Sequence, residues 1–104
     1  MTSPPRVPMT MPTLMVISAL LAEPGREMYG MEIMRATGLM SGTIFPIFRR
    51  LEDNGWVTSR WEVLDPVRAG RRPRHYYQLT PAGISQGSAM LTTAQEKFAG
   101  IRWP

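Results

Sequence analysis

The sequence contains no cysteine, which excludes disulfides, thiol nucleophiles and thiolate-held metals. Histidine occurs once, at His75, so a metal site would lack a second imidazole ligand. No apolar run is long. The stretch from Leu14 to Ala22 falls far short of the roughly 20 residues that span a bilayer. Pro4, Pro5, Pro8 and Pro12 break up the N-terminus and leave no signal-peptide core. No paired carboxylates, nucleophile–base pair or phosphate-cradling glycine loop stands out, so the chain does not read as an enzyme. The expectation is a soluble, cytoplasmic protein with no metal, no cofactor and no membrane partner.

Positive charge is what the chain has. Its 104 residues carry 12 Lys+Arg against 8 Asp+Glu, a formal net charge of +4. All but Lys97 of the cations are arginine, whose planar fork suits phosphates and guanine edges. Arg68, Arg71, Arg72 and Arg74 crowd into seven residues. A chain of this length makes one domain with a modest core.

Residues 1–11, rich in proline, read as a disordered arm. Pro12 fits the first turn of a helix. Leu14, Ile17 and Leu21 mark one face of it, with Val16 and Leu20 beside them. Glu23-Pro24-Gly25 ends it. A second helix follows from about Met28 to Thr37, with Tyr29, Ile33 and Ala36 facing inward and Gly38 as its stop.

The run from Thr37 to Val57 is the most informative. Ser41 is a natural N-cap, and Ile44, Phe48 and Leu51 recur at helical spacing as one buried face. Ser41, Gly42, Thr43, Phe45, Pro46, Arg49 and Arg50 leave that face. Pro46 removes a backbone donor and is expected to bend the helix. Asn54-Gly55 closes a helix over 41–54.

Val57 to Val63 alternates with period two, a strand. Leu64 to Arg72 reads as a turn-rich loop. Arg74 to Leu79 is extended again, with Tyr77 and Leu79 inward and Arg74, Tyr76 and Gln78 outward. Thr80-Pro81 opens a last helix. Its Ile84, Gly87, Leu91, Ala94, Phe98 and Ile101 repeat every three or four residues, a coiled-coil-like seam. The predicted fold is mainly α with a small antiparallel β-hairpin, a winged helix-turn-helix of order α-α-α-β-β-α. Residues 12–80 form the DNA-binding domain and 81–104 a C-terminal dimerisation helix.

In this arrangement the sequence resembles the PadR family of bacterial transcriptional regulators. The matching runs are Met28-Tyr29-Gly30-Met31-Glu32-Ile33, Ser41 to Pro46, Arg50-Leu51-Glu52 with Asn54-Gly55-Trp56-Val57, and Gly70 to Gly83. The resemblance implies a dimeric DNA-binding protein, usually a repressor, whose third helix enters the major groove and whose wing touches the backbone. It implies dimerisation through the first and last helices, and many members respond to small molecules. The chain departs from the pattern at Phe45, where relatives usually carry Tyr, and in a short turn before Ser41. It also has one last helix where larger members have a long C-terminal helical domain.

The expected partner is a double-stranded, pseudo-palindromic operator. Ser41, Gly42, Thr43, Phe45, Pro46, Arg49 and Arg50 are the candidate contacts from the helix. Arg71, Arg72, Arg74 and Tyr76 are those from the wing, taken as residues 63–74 with the strand after it, on the backbone or minor groove. Arg50 has an alternative, an ion pair with Glu52 or Glu32. Leu14, Ile17, Leu21, Ile84, Leu91, Ala94, Phe98 and Ile101 are the expected homodimer interface. A small-molecule effector is expected, if anywhere, at that interface, although the nine methionines equally fit an ordinary adaptable core. The competing reading is a protein-interaction winged helix acting as an accessory or antirepressor subunit.

Overall fold

The computed structural model describes residues 6–100 of the chain. Helix α1 spans Met11–Leu21 and is capped by the Thr10 side chain, which accepts from the Thr13 N–H. Strand β1, Met28–Tyr29, leads into α2, Gly30–Thr37. Helix α3 is Ser41–Asp53, β2 is Val57–Trp61, and α4 is Pro66–Ala69. Strand β3, His75–Leu79, and α5, Pro81–Lys97, complete the order.

The three strands form an antiparallel sheet in the order β1-β3-β2. In the hairpin, Val57 pairs with Leu79, Ser59 with Tyr77 and Trp61 with His75. The core lies between α1, α2, α3 and the sheet. Val16, Ile17, Ile33, Ile44, Phe48 and Leu51 are completely buried in it. The helical stripe read from Ile44, Phe48 and Leu51 is therefore the packed face of α3, joined there by Ile47.

Several expectations need correction. Ser41 is not the N-cap of α3. Met40 holds that position in extended conformation, no side chain caps the helix, and Ser41 is its first helical residue. Met28 and Tyr29 are not helical but form β1 against Tyr77 and Tyr76. This third strand carries no periodic signal because it is only two residues long. With α2 starting at Gly30, Ile33 is buried but Ala36 is exposed.

The wing is not a plain loop either. Asp65 caps α4 by accepting from the Val67 N–H, Pro66 stands at its start, and Gly70 ends it at φ 69°. At the other end, residues 6–10 do not stand clear of the molecule, since Val7 packs against the core. Ile101 lies outside the described residues.

The close fit of α5 depends on two glycines. A Cβ on Gly83 would lie 1.9 Å from the Trp56 carbonyl oxygen, and one on Gly87 would lie 3.1 Å from Ile17 Cγ2. The seam read from α5 therefore packs first on its own α1. Leu14, Ile17 and Ala94 are buried within one chain, while Leu21, Ile84, Leu91 and Phe98 are half-buried.

Candidate nucleic-acid interface

Helices α2 and α3 are joined by the three residues Gly38, Leu39 and Met40. The turn needs Gly38, whose φ of 75° is left-handed and costs a side chain energy that glycine avoids. Beyond the turn, Ser41, Gly42, Thr43, Pro46 and Arg49 are exposed on one flank of α3. Nothing approaches within 4 Å of a Cβ built on Gly42. Pro46 lies inside the helix, so the Gly42 carbonyl four residues back loses its helical donor. Phe45 is half exposed, and its ring leans on Gly30, where a Cβ would come within 3.1 Å.

Arg49 is exposed and Arg50 half-buried, and neither is engaged in an ion pair among the described residues. The alternative pairing of Arg50 does not form. Glu32 is taken by Arg26, and Glu52 accepts from the Ser59 hydroxyl. Glu32 also accepts from the Tyr29 N–H at 3.3 Å, tying β1 to the first turn of α2.

The wing is organised around Glu62. Its carboxylate receives both terminal nitrogens of Arg71, at 2.7 and 3.1 Å, and the Arg74 N–H at 3.3 Å. The Arg71 hydrogen bond, assisted by that N–H, holds the Glu62 carboxyl below its ordinary pKa, and Arg71 is raised in turn. Arg71 also donates to the Arg72 carbonyl at 3.2 Å. Arg74 lies over the Tyr29 ring at 4.4 Å, and Tyr76 meets that ring edge-on at 5.7 Å. Arg60 lies over Tyr76 and is held by Glu27 at 2.6 and 3.1 Å.

Arg74, Tyr76 and Arg60 thus occupy the sheet face turned away from α3. Tyr77, on the opposite face, stacks on Phe48 of α3 with ring centroids 3.9 Å apart. Arg68 and Arg72 are exposed at the tip, with no ion pair among the described residues. No group of His, Asp or Glu among the described residues could hold a metal ion. No described helix is long and apolar enough to cross a membrane.

The model of the PadR-like family of transcriptional regulators matches residues 17–88, from the middle of α1 to the middle of α5. The chain belongs to this family. Its members are non-enzymatic DNA-binding regulators of transcription. No curated protein sequence matches the chain.

Solved structures share the fold at low identity. A transcriptional regulator homologue from Pyrococcus horikoshii OT3 is 22% identical with a TM-score of 0.66, covering 88% of this chain and 83% of its own. A PadR family regulator from Eggerthella lenta DSM 2243 is 22% identical with a TM-score of 0.66, covering 85% and 77%. A third, from Clostridium difficile R20291, is 21% identical with a TM-score of 0.60, covering 86% and 88%.

Sequence reasoning located the exposed flank of α3 and the arginines of the wing but missed what holds them. Glu62 attracted no notice because a carboxylate in a strand looks like any solvated residue. Its role depends on Arg71, nine positions on, folding back across the wing.

Proposed function

We propose that this PadR-like regulator is a homodimeric repressor that reads a pseudo-palindromic operator. The outward flank of α3 enters the major groove. Ser41, Gly42, Thr43, Phe45 and Pro46 meet base edges or adjacent backbone, and Arg49 and Arg50 reach a base or a phosphate. The wing carries Arg71, Arg72, Arg74 and Tyr76 to the backbone or minor groove. Within that set, Arg72 is the arginine with no partner to exchange among the described residues. Arg71 must trade Glu62 for a phosphate.

The observation that carries the reading is the flank of α3. Thr43 and Arg49 stand exposed and unpaired beside a glycine with open space around it. The inner face of the same helix is fully buried, so this surface costs the fold nothing to present.

A second copy is proposed to dock on the groove between α1, α5 and the end of α2. That groove encloses about 510 Å³, and Met11, Met15, Ala19 and Leu91 line it. Leu21 on α1, Ile84 on α5 and Phe98 just past the end of α5, all half-buried in one chain, join the contact. An apolar effector would enter at this interface. Two reading helices would then lie about one DNA turn, roughly 34 Å, apart.

Titration with a random-sequence duplex and with fragments selected from a genomic pool, each at two salt concentrations, tests the reading. Binding should weaken steeply with salt on both and be tighter on the selected fragments. Absence of binding at low salt would reject it and leave the protein-interaction role of the same fold.

A further inference from the structure

Trp56 and Trp61 lie five residues apart and are treated oppositely by the fold. Trp56 is 6% exposed and Trp61 is 63% exposed. Trp61 is nevertheless well positioned. Its indole stacks on His75, with centroids 4.3 Å apart and planes 11° from parallel. His75 leans on Tyr77, and its Nδ1 lies 3.0 Å from the Tyr77 hydroxyl. Burial and the nearby charge of Glu52 raise the Tyr77 pKa, so the phenol keeps its proton. Tyr77 in turn stacks on Phe48, which is completely buried. Four rings thus form a column from the core of α3 to the surface of the wing, and its outermost face is bare indole.

We propose that this bare indole of Trp61 is a DNA-contacting platform, which packs its ring on the sugar–phosphate backbone and offers its N–H to a phosphate oxygen. The inference rests on the reading of α3 and the wing as the DNA interface. Strand alternation puts Trp61 on the side of the hairpin that faces α3, with Ser59 and Tyr77. After the turn at Gly55, β2 runs back along α3. Trp61, paired with His75, is therefore two residue pairs farther along the hairpin than Tyr77, which stacks on Phe48.

The indole Nε1–H is a donor only and meets no hydrogen-bond partner among the described residues. The surroundings favour a polyanion. Residues 60–75 hold five arginines against two carboxylates; Arg60 and Arg74 lie on the other face of the sheet, and Arg68 and Arg72 at the tip have no ion pair among the described residues. An exposed aromatic ring with a donor edge suits a surface that is part sugar and part phosphate.

The test uses the whole chain and a random-sequence duplex of about 40 base pairs, long enough for two half-sites one turn apart. Trp61→Ala should weaken binding about tenfold, or about 1.4 kcal/mol, and Trp61→Phe, which keeps a ring but loses the N–H, should weaken it less. The fluorescence difference between wild type and Trp61→Phe isolates this indole. Acrylamide should quench it freely in the free protein and poorly in the complex.

An indole equally accessible in the complex overturns the proposal, even where Trp61→Ala binds weakly, because the residue would then act only by holding the wing. Protection that appears with rising protein concentration and no DNA also overturns it, by assigning the indole to contact between copies. If the wild type binds DNA and Trp61→Ala binds equally well, the platform fails while the interface stands. If the wild type binds no duplex, both fail.

Discussion

On the outward flank of α3, Thr43 and Arg49 are exposed and unpaired among the described residues, whereas on the wing Arg71 is clasped by Glu62 and Arg74 lies over Tyr29. Both regions present polar side chains at the surface, yet they are supported differently. Helix α3 stands on a buried stripe of Ile44, Ile47, Phe48 and Leu51. Its outer residues contribute little to its stability. The wing has no such stripe beneath its tip, where Val63 and Val67 are almost fully exposed. A two-stranded hairpin is marginal by itself. It is held instead by Glu62 at its neck, by the short α4 and by the ring column that ties β2 and β3 to Phe48. Arg71 and Arg74 therefore already have partners within the fold, which Thr43 and Arg49 lack among the described residues.

Breaking the link between the regions should have the largest effect. Phe48→Ala removes the ring on which Tyr77 stacks and leaves a cavity under both. It should destabilise the protein by about 3–5 kcal/mol, read as a fall in the denaturation midpoint. A smaller loss would mean that α3 and the wing are less tightly joined than their packing implies.

Replacing Thr43 or Arg49 by Ala sharpens the contrast from the helix side. Sequence preference should drop by about 1–3 kcal/mol for each lost base contact. The melting temperature should stay where it is, because neither side chain supports the fold. A lower melting temperature would contradict the division of labour.

Glu62→Gln acts on the wing and has the smallest effect. It releases Arg71 to the phosphates, and the dependence of log affinity on log salt should steepen by about one. An unchanged slope would mean that Arg71 does not reach DNA. The same pair has a pH signature. Because the Arg71 hydrogen bond depresses the folded-state pKa of Glu62, its contribution is present above the ordinary carboxylate range. It is lost as pH falls through the lower folded value. The melting curves of wild type and Glu62→Gln should differ at neutral pH by a constant small amount and converge in acid.

Much of this molecule is legible residue by residue. The stripe in α3, the Gly38 stop, the Thr80-Pro81 start of α5 and the inward Tyr77 and Leu79 all follow from local spacing or local chemistry. So does the outward flank of α3, since whatever leaves a helical stripe must face away. The errors are of one kind. Ser41 looks like a cap, but the chain enters α3 one residue earlier. Met28 and Tyr29 look helical, but β3 offers them an edge to pair with.

The sequence by itself determined where the long helices and the two hairpin strands run and which of their faces are apolar, because those depend on periodicity and on neighbours within a turn or two. Only the tertiary structure decided which polar groups remain free. Glu27 finds Arg60 across 33 residues, Glu62 finds Arg71, and the Trp56 carbonyl leaves Gly83 no room for a side chain. Such pairings form because the chain folds back on itself, and no pattern along the chain records which charge will be neutralised and which will be left exposed.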